Sequence, residues 1–536
     1  MKLRKVALWA AGLAAGAWFG ERALGVVAPF PLAALELRAA SRQVFAADGT
    51  LLCALPDAHG ERRLPVRLAE VSPHVVAALV AAEDRRFFAH GGVDAAAVLR
   101  AALQNCARGR VFSGASTLSM QVARLAEPHA RTFAGKVWEA VRARQLERAA
   151  SKPQILELYL NHVPFGGTLR GIEAASLSWY GKRARDLALD EAATLIAMLP
   201  APTRRSPARD PALLRAARNQ VLAAMVAAGR VSASAAAAAA ALPLLARRHA
   251  WPRLAPHASA LLLARSPAPE LRSAIDLDLQ RSIEDIVARE QELSTDGLAI
   301  VVLARESGDL VALCGSRDQA ATGLDATRCA RSAGSTLKPF LYAEALEQGV
   351  IGERTLLADQ PRQWGEYRPE NFGREFAGRL MVADALAESR NLPAVALLEA
   401  VGVDAFRARL HACGLELPRR RLHLDAALGT VAVTPLALGA AYVQLLRSDA
   451  LSPGTRATLL AALSARSPAP EQVAAGLAAC KTGTSSDRRD AWAVGVTPRH
   501  VVVVWAGDLG GRPAPGLVGS RAAAALLAPV LGALGG

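Results

Sequence analysis

Between residues 232 and 272 the chain changes character, and that break constrains its fold more than any other feature. Ser232 to Ala241 is an alanine tract, and Pro243, Pro252, Pro256, Pro267 and Pro269 punctuate the stretch after it. Proline fixes φ and removes a backbone donor, so such a stretch reads as a connection between domains. Before it, apolar residues recur at helical spacing; after it, that period alternates with short β-branched runs. A chain of 536 residues has room for roughly two to four domains at about 150 residues each. Its 52% hydrophobic and 21% charged content excludes disorder as the overall state.

The first part reads as nearly all α. Ser72-Pro73 places proline at a first helical position, with Val75, Val76, Leu79 and Val80 following at helix spacing. Further helices are predicted over 95–106, 117–126, 132–150, 152–161, 171–179, 190–198 and 211–228, after a hairpin turn at Ala47-Asp48-Gly49-Thr50. The second part reads as α/β. It has predicted strands over 297–303 and 309–314, helices over 336–348 and 384–400, and a closing hairpin of 491–496 and 500–505. The expected division is an N-terminal segment over 1–35, a first domain over 40–231, a linker over 232–290 and a second domain over 291–530.

The N-terminus gives the compartment. Met1-Lys2-Leu3-Arg4-Lys5 is basic, Val6 to Gly20 carries no charge, and Glu21-Arg22 precedes a further uncharged stretch from Ala23 to Leu35. Two readings stand: an uncleaved signal anchor, or a cleaved signal peptide with a processing site at Ala15-Gly16-Ala17. Both carry the rest of the chain out of the cytoplasm. The formal net charge of +15 calls for an anionic partner, and export from the cytoplasm removes nucleic acid from the choices. Six cysteines without a Cys-x-x-Cys spacing argue against a zinc site.

Three signatures in the second part fall in a fixed order. Ser335-Thr336-Leu337-Lys338 puts a hydroxyl and an amine on one helix face, where a desolvated neutral lysine takes the serine proton during attack on an acyl carbon. Ser389-Arg390-Asn391 supplies a second hydroxyl and an amide, and Lys481-Thr482-Gly483-Thr484 begins a predicted strand suited to holding a carboxylate. Each is weak singly; together and in this order they resemble the penicillin-interacting fold of transpeptidases and serine β-lactamases.

The first part carries Glu83-Asp84-Arg85-Arg86-Phe87-Phe88-x-His90-Gly91-Gly92, Gly114-Ala115-Ser116-Thr117-Leu118-Ser119-Met120-Gln121, Gly135-Lys136-x-x-Glu139 and Lys152-x-x-Ile155-Leu156-Glu157-Leu158-Tyr159-Leu160-Asn161. These resemble the motifs of family 51 glycosyltransferases. As a whole the chain resembles the bifunctional class A penicillin-binding proteins, of the 1C type by Met120, Gly135 and Pro164 to Gly171. The resemblance implies a mainly α, lysozyme-like glycosyltransferase domain, an α/β transpeptidase domain and an N-terminal anchor in the bacterial inner membrane, with both catalytic domains in the periplasm. It also implies a peptidoglycan synthase that polymerises lipid II and cross-links stem peptides through an acyl-enzyme on Ser335.

By the same resemblance Glu83 is the general base of glycosyl transfer and Glu139 a second carboxylate. Asp84, His90, Ser116, Thr117, Gln121, Arg124, Lys136 and Asn161 line the donor and diphosphate site, although a histidine before Gly-Gly is more often a structural hydrogen-bonding residue. Arg85 and Arg86 are further candidate grips on diphosphate. No cofactor is tightly bound; a divalent cation, Mg2+ or Mn2+, is implied for glycosyl transfer. In the transpeptidase Ser335 is the nucleophile, Lys338 its base, Ser389 a proton relay and Asn391 a peptide contact. Lys481, Thr482 and Thr484 hold the terminal carboxylate, Gly483 lets the substrate backbone approach, and the Ser335 and Thr484 N–H groups form the oxyanion hole.

The implied partners are lipid II, nascent peptidoglycan, the membrane, β-lactams and other cell-wall synthesis proteins. Several departures stand out. Gly135 removes a cation, for which Arg131 or Arg142 is a candidate substitute. Ala333 replaces a proline, Ser486-Asp487-Arg488 replaces aromatic and glycine residues, and the small β domain found after the closing hairpin in 1C relatives is expected to be absent. The alternative readings are a β-lactam hydrolase or sensor, which lacks a separate deacylating carboxylate motif, and a penicillin-binding scaffold with one half weakly active.

Overall fold

A computed structural model describes residues 28–36, 40–108, 116–130, 132–290, 293, 295–317, 323–417, 421–447, 449–464, 478–514 and 516–535. It divides into two compact units, one of residues 1–43 and 54–252, the other of 44–53 and 253–536. Most of the expected anchor lies outside the described residues, among which no helix is long and apolar enough to cross a membrane.

The first unit is built of helices α1 (Pro73–Glu83), α2 (Ala95–Arg108), α3 (Leu118–Ala126), α4 (Phe133–Ala149), α5 (Lys152–His162), α6 (Ile172–Tyr180), α7 (Leu189–Met198), α8 (Pro211–Ala227) and α9 (Ala233–Ala241). Helix α7 is buried from Ala192 to Met198 and packs against α1 and α8, while α3 packs against α4 and α5. The alanine tract, expected to be linker, is α9: alanine is the strongest helix former, and Ser232 caps the start by accepting from the Ala235 N–H at 3.1 Å. The fully buried Arg218 of α8 donates to the Ala240 and Leu242 carbonyls at 2.7 and 2.9 Å, tying the far end of α9 into the first unit. The division therefore falls after Pro252 rather than at 231.

The second unit takes up the rest of the expected linker as α10 (Pro256–Arg265), a strand over Glu270–Arg272 and α11 (Leu277–Arg289). That strand pairs with Gln43–Phe45, the first arm of the predicted hairpin, whose second arm is Leu51–Ala54. Thus residues 44–53, expected in the first domain, belong to the second. Its centre is an antiparallel sheet of β1 (Gly297–Ala304), β2 (Leu310–Cys314), β3 (Ala479–Thr484), β4 (Asp490–Val496) and β5 (His500–Gly507), in the order β3-β4-β5-β1-β2.

The period of two sorts this sheet's side chains. Ala299, Val301, Leu303, Trp492, Val494, Val501, Val503 and Trp505 enter one core, which includes α12 (Lys338–Glu347). Leu298, Ile300, Val302, Ala491, Ala493, Val502 and Val504 enter the other, with α11 and the C-terminal helix over Leu527–Gly535. Both faces are covered, so the strands read as continuous apolar runs. One predicted helix is two: 384–400 is α13 (Val382–Ala387) and α14 (Asn391–Val401), broken at Ser389, whose φ is 58°.

Candidate active sites

Glu83 ends α1, half-buried. Its Oε2 accepts from Gln121 Nε2 at 3.0 Å, and Gln121 Oε1 accepts from the Tyr159 hydroxyl at 3.0 Å. Tyr159 thereby fixes which end of the amide faces the carboxylate. Burial raises the Glu83 pKa, opposed by the Gln121 hydrogen bond and the charge of Arg205 and reinforced by Asp84. A carboxylate tuned this way is suited to general-base work. Tyr159, which its apolar spacing within the fourth motif presents as a core residue, and Arg205, which lies outside every motif, belong to this environment.

Four expected substrate residues turn out to hold the scaffold. Buried Asp84 faces His90 Nε2 at 3.0 Å and accepts from the Leu118 N–H at 3.0 Å. His90 Nδ1 accepts from the Gly92 N–H at 3.2 Å, which puts the ring hydrogen on Nε2, toward Asp84. Thr117 caps α3 by accepting from the Met120 N–H at 3.1 Å and donates to the Gly92 carbonyl at 2.6 Å. Asn161 commits both polar groups to Val66, accepting from its N–H and donating to its carbonyl at 2.9 Å each. Arg86 pairs with Asp94 at 3.5 Å and Arg85 donates to the Ala227 carbonyl, so neither joins Lys136.

The remaining residues converge on Glu139. Its buried carboxylate accepts from Lys136 Nζ at 2.6 Å, with Arg124 Nη1 at 3.6 Å and His129 Nε2 at 3.4 Å; Lys136 also donates to Ser116 Oγ at 2.7 Å. Arg142, a suggested substitute for the cation missing at 135, is buried and bound to Glu127, Gln145 and the Ala28 carbonyl. Arg131 lies outside the described residues. Among the described residues no three His, Cys, Asp or Glu side chains gather as metal ligands. One carboxylate ringed by three basic groups fits an anion and does not fit Mg2+ or Mn2+.

In the second unit a cleft of roughly 930 Å3 is lined by Ser335, Ser389, Asn391, Lys481, Thr482, Gly483 and Thr484. Ser335 lies in a 3-10 turn over Gly334–Leu337 that runs straight into α12, so residues three apart share a face. Fully buried Lys338 donates to the Ser389 carbonyl at 2.6 Å and to Asn391 Oδ1 at 2.8 Å, with Ser389 Oγ at 3.4 Å. Lys481 Nζ donates to Ser389 Oγ at 2.8 Å and to the Thr482 carbonyl at 2.7 Å. Burial, and then the charge of Lys481, hold Lys338 well below the usual lysine range; burial brings Lys481 down to about 8.

A neutral amine has two hydrogens and one lone pair. A neutral Lys338 that directs both hydrogens to the Ser389 carbonyl and Asn391 Oδ1 keeps a lone pair with which to accept a proton. The left-handed φ of Ser389 is what turns its carbonyl and hydroxyl to the two lysines. Glycines bring the backbones together: a Cβ on Gly334 would lie 2.7 Å from the Thr484 carbonyl oxygen, and one on Gly483 would lie 2.8 Å from Thr336 Cγ2. Gly483 therefore serves strand-to-turn packing as well as lining the cleft. Thr484 Oγ1 accepts from the Gly519 N–H at 3.0 Å.

Ala333 differs from proline in a useful way, since its N–H donates to the Val431 carbonyl at 3.0 Å. Trp492 and Trp505 are fully buried core residues. Phe372, Asp487 and Arg488 also line the cleft; Asp487 and Arg488 both adopt left-handed φ, and the Arg488 guanidinium stands 5.7 Å from the Phe372 ring centre. Phe372 carries no motif, only an aromatic side chain in a polar loop.

Residues 48–226 match the transglycosylase family model, and residues 298–465 match that of the penicillin binding protein transpeptidase domain. The chain is 38% identical over 527 residues to penicillin-binding protein 1C of Escherichia coli, covering 93% of this chain and 68% of that one. It is 30% identical to penicillin-binding protein 1F of Bacillus subtilis, over 71% of this chain and 56% of that one. Among solved structures, penicillin-binding protein 1A from Haemophilus influenzae shares the fold at a TM-score of 0.54 and 16% identity, over 92% of each chain.

Proposed function

The chain belongs to the bifunctional class A penicillin-binding proteins, peptidoglycan synthases with glycosyltransferase and transpeptidase activities, and from that premise we propose how its own residues carry the two reactions. Glu83 takes the proton from the acceptor sugar hydroxyl as the hydroxyl oxygen attacks the anomeric carbon of a lipid-linked disaccharide, lipid II. The bond to the diphosphate breaks, and Lys136 and Arg124 stabilise the charge left on it. Gln121 and Tyr159 position the base. No step is routed through a metal.

In the second unit the Ser335 oxygen attacks the carbonyl of the penultimate D-Ala while its proton passes to the Lys338 lone pair. Ser389, between Lys338 and Lys481, relays a proton to the departing D-Ala. Lys481, with Thr482 and Thr484, holds the terminal carboxylate, and the Ser335 and Thr484 N–H groups take the developing oxyanion, a reading supported by the close approach of Gly334 to Thr484. An acceptor amine then displaces Ser335 from the acyl-enzyme. A β-lactam, whose strained amide and carboxylate imitate the D-Ala-D-Ala end, stops at the acyl stage. The protein sits in the inner membrane by its N-terminus with both units in the periplasm.

The observation that carries this reading is the Lys338 amine, desolvated and with both hydrogens committed. Purified full-length protein in detergent, given labelled lipid-linked precursor with and without penicillin, is expected to make glycan polymer in both cases and cross-linked product only without the drug. Cross-linking that survives penicillin, or no polymer at all, overturns the reading of the corresponding half.

A further inference from the structure

Position 135, directly before Lys136, contributes no side chain, and the local structure leaves no space for one. A Cβ there would lie 2.6 Å from the Ala130 carbonyl oxygen and 2.7 Å from His129 Cδ2. The space is taken by the His129 ring. Its Nδ1 donates to the Glu127 carbonyl at 2.8 Å, which fixes the ring orientation and turns Nε2 toward Glu139 Oε1 at 3.4 Å. Glu127 is itself held by Arg142 and by Trp138 Nε1 at 3.2 Å, so the turn that carries His129 is anchored on α4. With Nδ1 committed as donor, Nε2 carries a hydrogen only when the ring is the imidazolium.

We infer that His129 is a diphosphate-binding residue of the glycosyltransferase site and supplies the cation that position 135 lacks. The inference rests on the reading of this site as one for a lipid-linked diphosphate. The basic groups that meet the Glu139 carboxylate come from three stretches of chain: Arg124 from α3, His129 from the turn after it, and Lys136 from α4. With an imidazolium at His129, three positive charges face one negative, and the surplus of two matches a diphosphate diester, which carries one charge on each phosphate group. Without it the surplus is one. His129 Nε2 is itself buried and makes no hydrogen bond among the described residues, so it is an orphaned polar atom aimed into the site that a phosphate oxygen beside Glu139 would satisfy. A diphosphate that meets Arg124 or Lys136 beside Glu139 thus gains a further donor from a ring already oriented by Glu127.

The test uses full-length protein in detergent, labelled lipid-linked precursor as donor and inorganic pyrophosphate as competitor. His129→Gln keeps a donor for the Glu127 carbonyl but carries no charge; it is expected to raise both the donor KM and the pyrophosphate inhibition constant by about tenfold, with a smaller change in kcat. His129→Lys restores a cation and is expected to recover most of that loss. Covalent labelling of Ser335 by a fluorescent penicillin should be unchanged in both variants, which shows the second unit to be folded, and recovery in His129→Lys shows the same of the first. A pyrophosphate constant within twofold of wild type in His129→Gln overturns the inference while leaving the reading of the site intact. A loss in kcat alone, unrelieved by His129→Lys, assigns His129 to structure and overturns it as well. A wild type that polymerises nothing, or whose polymerisation pyrophosphate does not inhibit, overturns the reading of the site and the inference with it.

Discussion

The two lysines of the transpeptidase cleft make opposite demands on pH, and Lys481 is where they can be separated. Burial brings its pKa down to about 8, so roughly nine in ten molecules carry the ammonium at pH 7 and roughly one in ten at pH 9. Lys338 is held well below the usual lysine range by burial and by the charge of Lys481, the direction its role as proton acceptor requires. If a β-lactam carboxylate must meet a charged Lys481, the second-order rate constant for labelling by a fluorescent penicillin falls about tenfold from pH 7 to pH 9. The roles set the sign: loss of the proton from Lys338 helps acylation, whereas loss from Lys481 hinders it. Lys481→Arg keeps its charge across this range and is expected to flatten the alkaline fall, at whatever absolute rate the longer side chain permits. A wild-type rate at pH 9 within twofold of that at pH 7, or an unchanged fall in Lys481→Arg, would refute the division of labour.

The other predictions address the two sites separately. Glu83→Gln should lower glycan polymerisation by at least about a hundredfold and leave penicillin labelling intact, measured on the same preparation. Ser335→Ala should do the reverse, abolishing labelling while polymer still forms. Gln121→Leu removes a hydrogen bond that favours the Glu83 carboxylate, so the acid limb of the polymerisation rate should move to higher pH; a limb that stays or moves down counts against Glu83 as base. Gly429→Ala puts a Cβ 1.8 Å from the Gly334 carbonyl oxygen at a φ of 76°. It should cost about 2–4 kcal/mol in the second unit, read by denaturant unfolding, and slow acylation at Ser335.

The helices and strands were legible because their periods are local. The seven helices predicted from 95 to 228 stand within a few residues of their observed ends, as do the strands of the closing hairpin. The errors have long-range causes. The alanine tract is a helix because Arg218 and its neighbours on α8 give it something to pack on. Residues 44–53 leave the first domain because their strand partner lies at 270–272, far along the chain. The single helix predicted over 384–400 breaks at Ser389, where apolar spacing continues across a residue that chemistry requires to be left-handed. Motifs located the serines, lysines and asparagine that meet in the cleft, but they could not separate contact from support. Asp84, His90, Thr117 and Asn161 sit inside the signatures and hold backbone; Tyr159, inside a signature but reading as core, meets the base through Gln121, while His129 and Phe372 carry no motif and face the sites.

The same distinction bears on the charge. A net +15 invites the view that basic residues are there for an anionic ligand, yet many are consumed inside the fold. Arg218 caps a helix, Arg142 is bound by Glu127, and Lys152 pairs with Glu147 at 2.6 Å while donating to the His90 carbonyl at 2.7 Å. Arg85 and Arg86, which stand inside the signature of the base, bind a helix carbonyl and Asp94. What marks the proposed diphosphate site is convergence: three basic groups from different stretches of chain on one buried carboxylate. A buried carboxylate with more cations than it needs loses little when one of them turns to a ligand, so Glu139 keeps Lys136 and Arg124 ordered until a stronger anion arrives. Glu139→Gln should therefore weaken the order of the site more than its net attraction: donor KM should change less than kcat. A KM that falls steeply with kcat intact would mean that Glu139 merely repels the diphosphate.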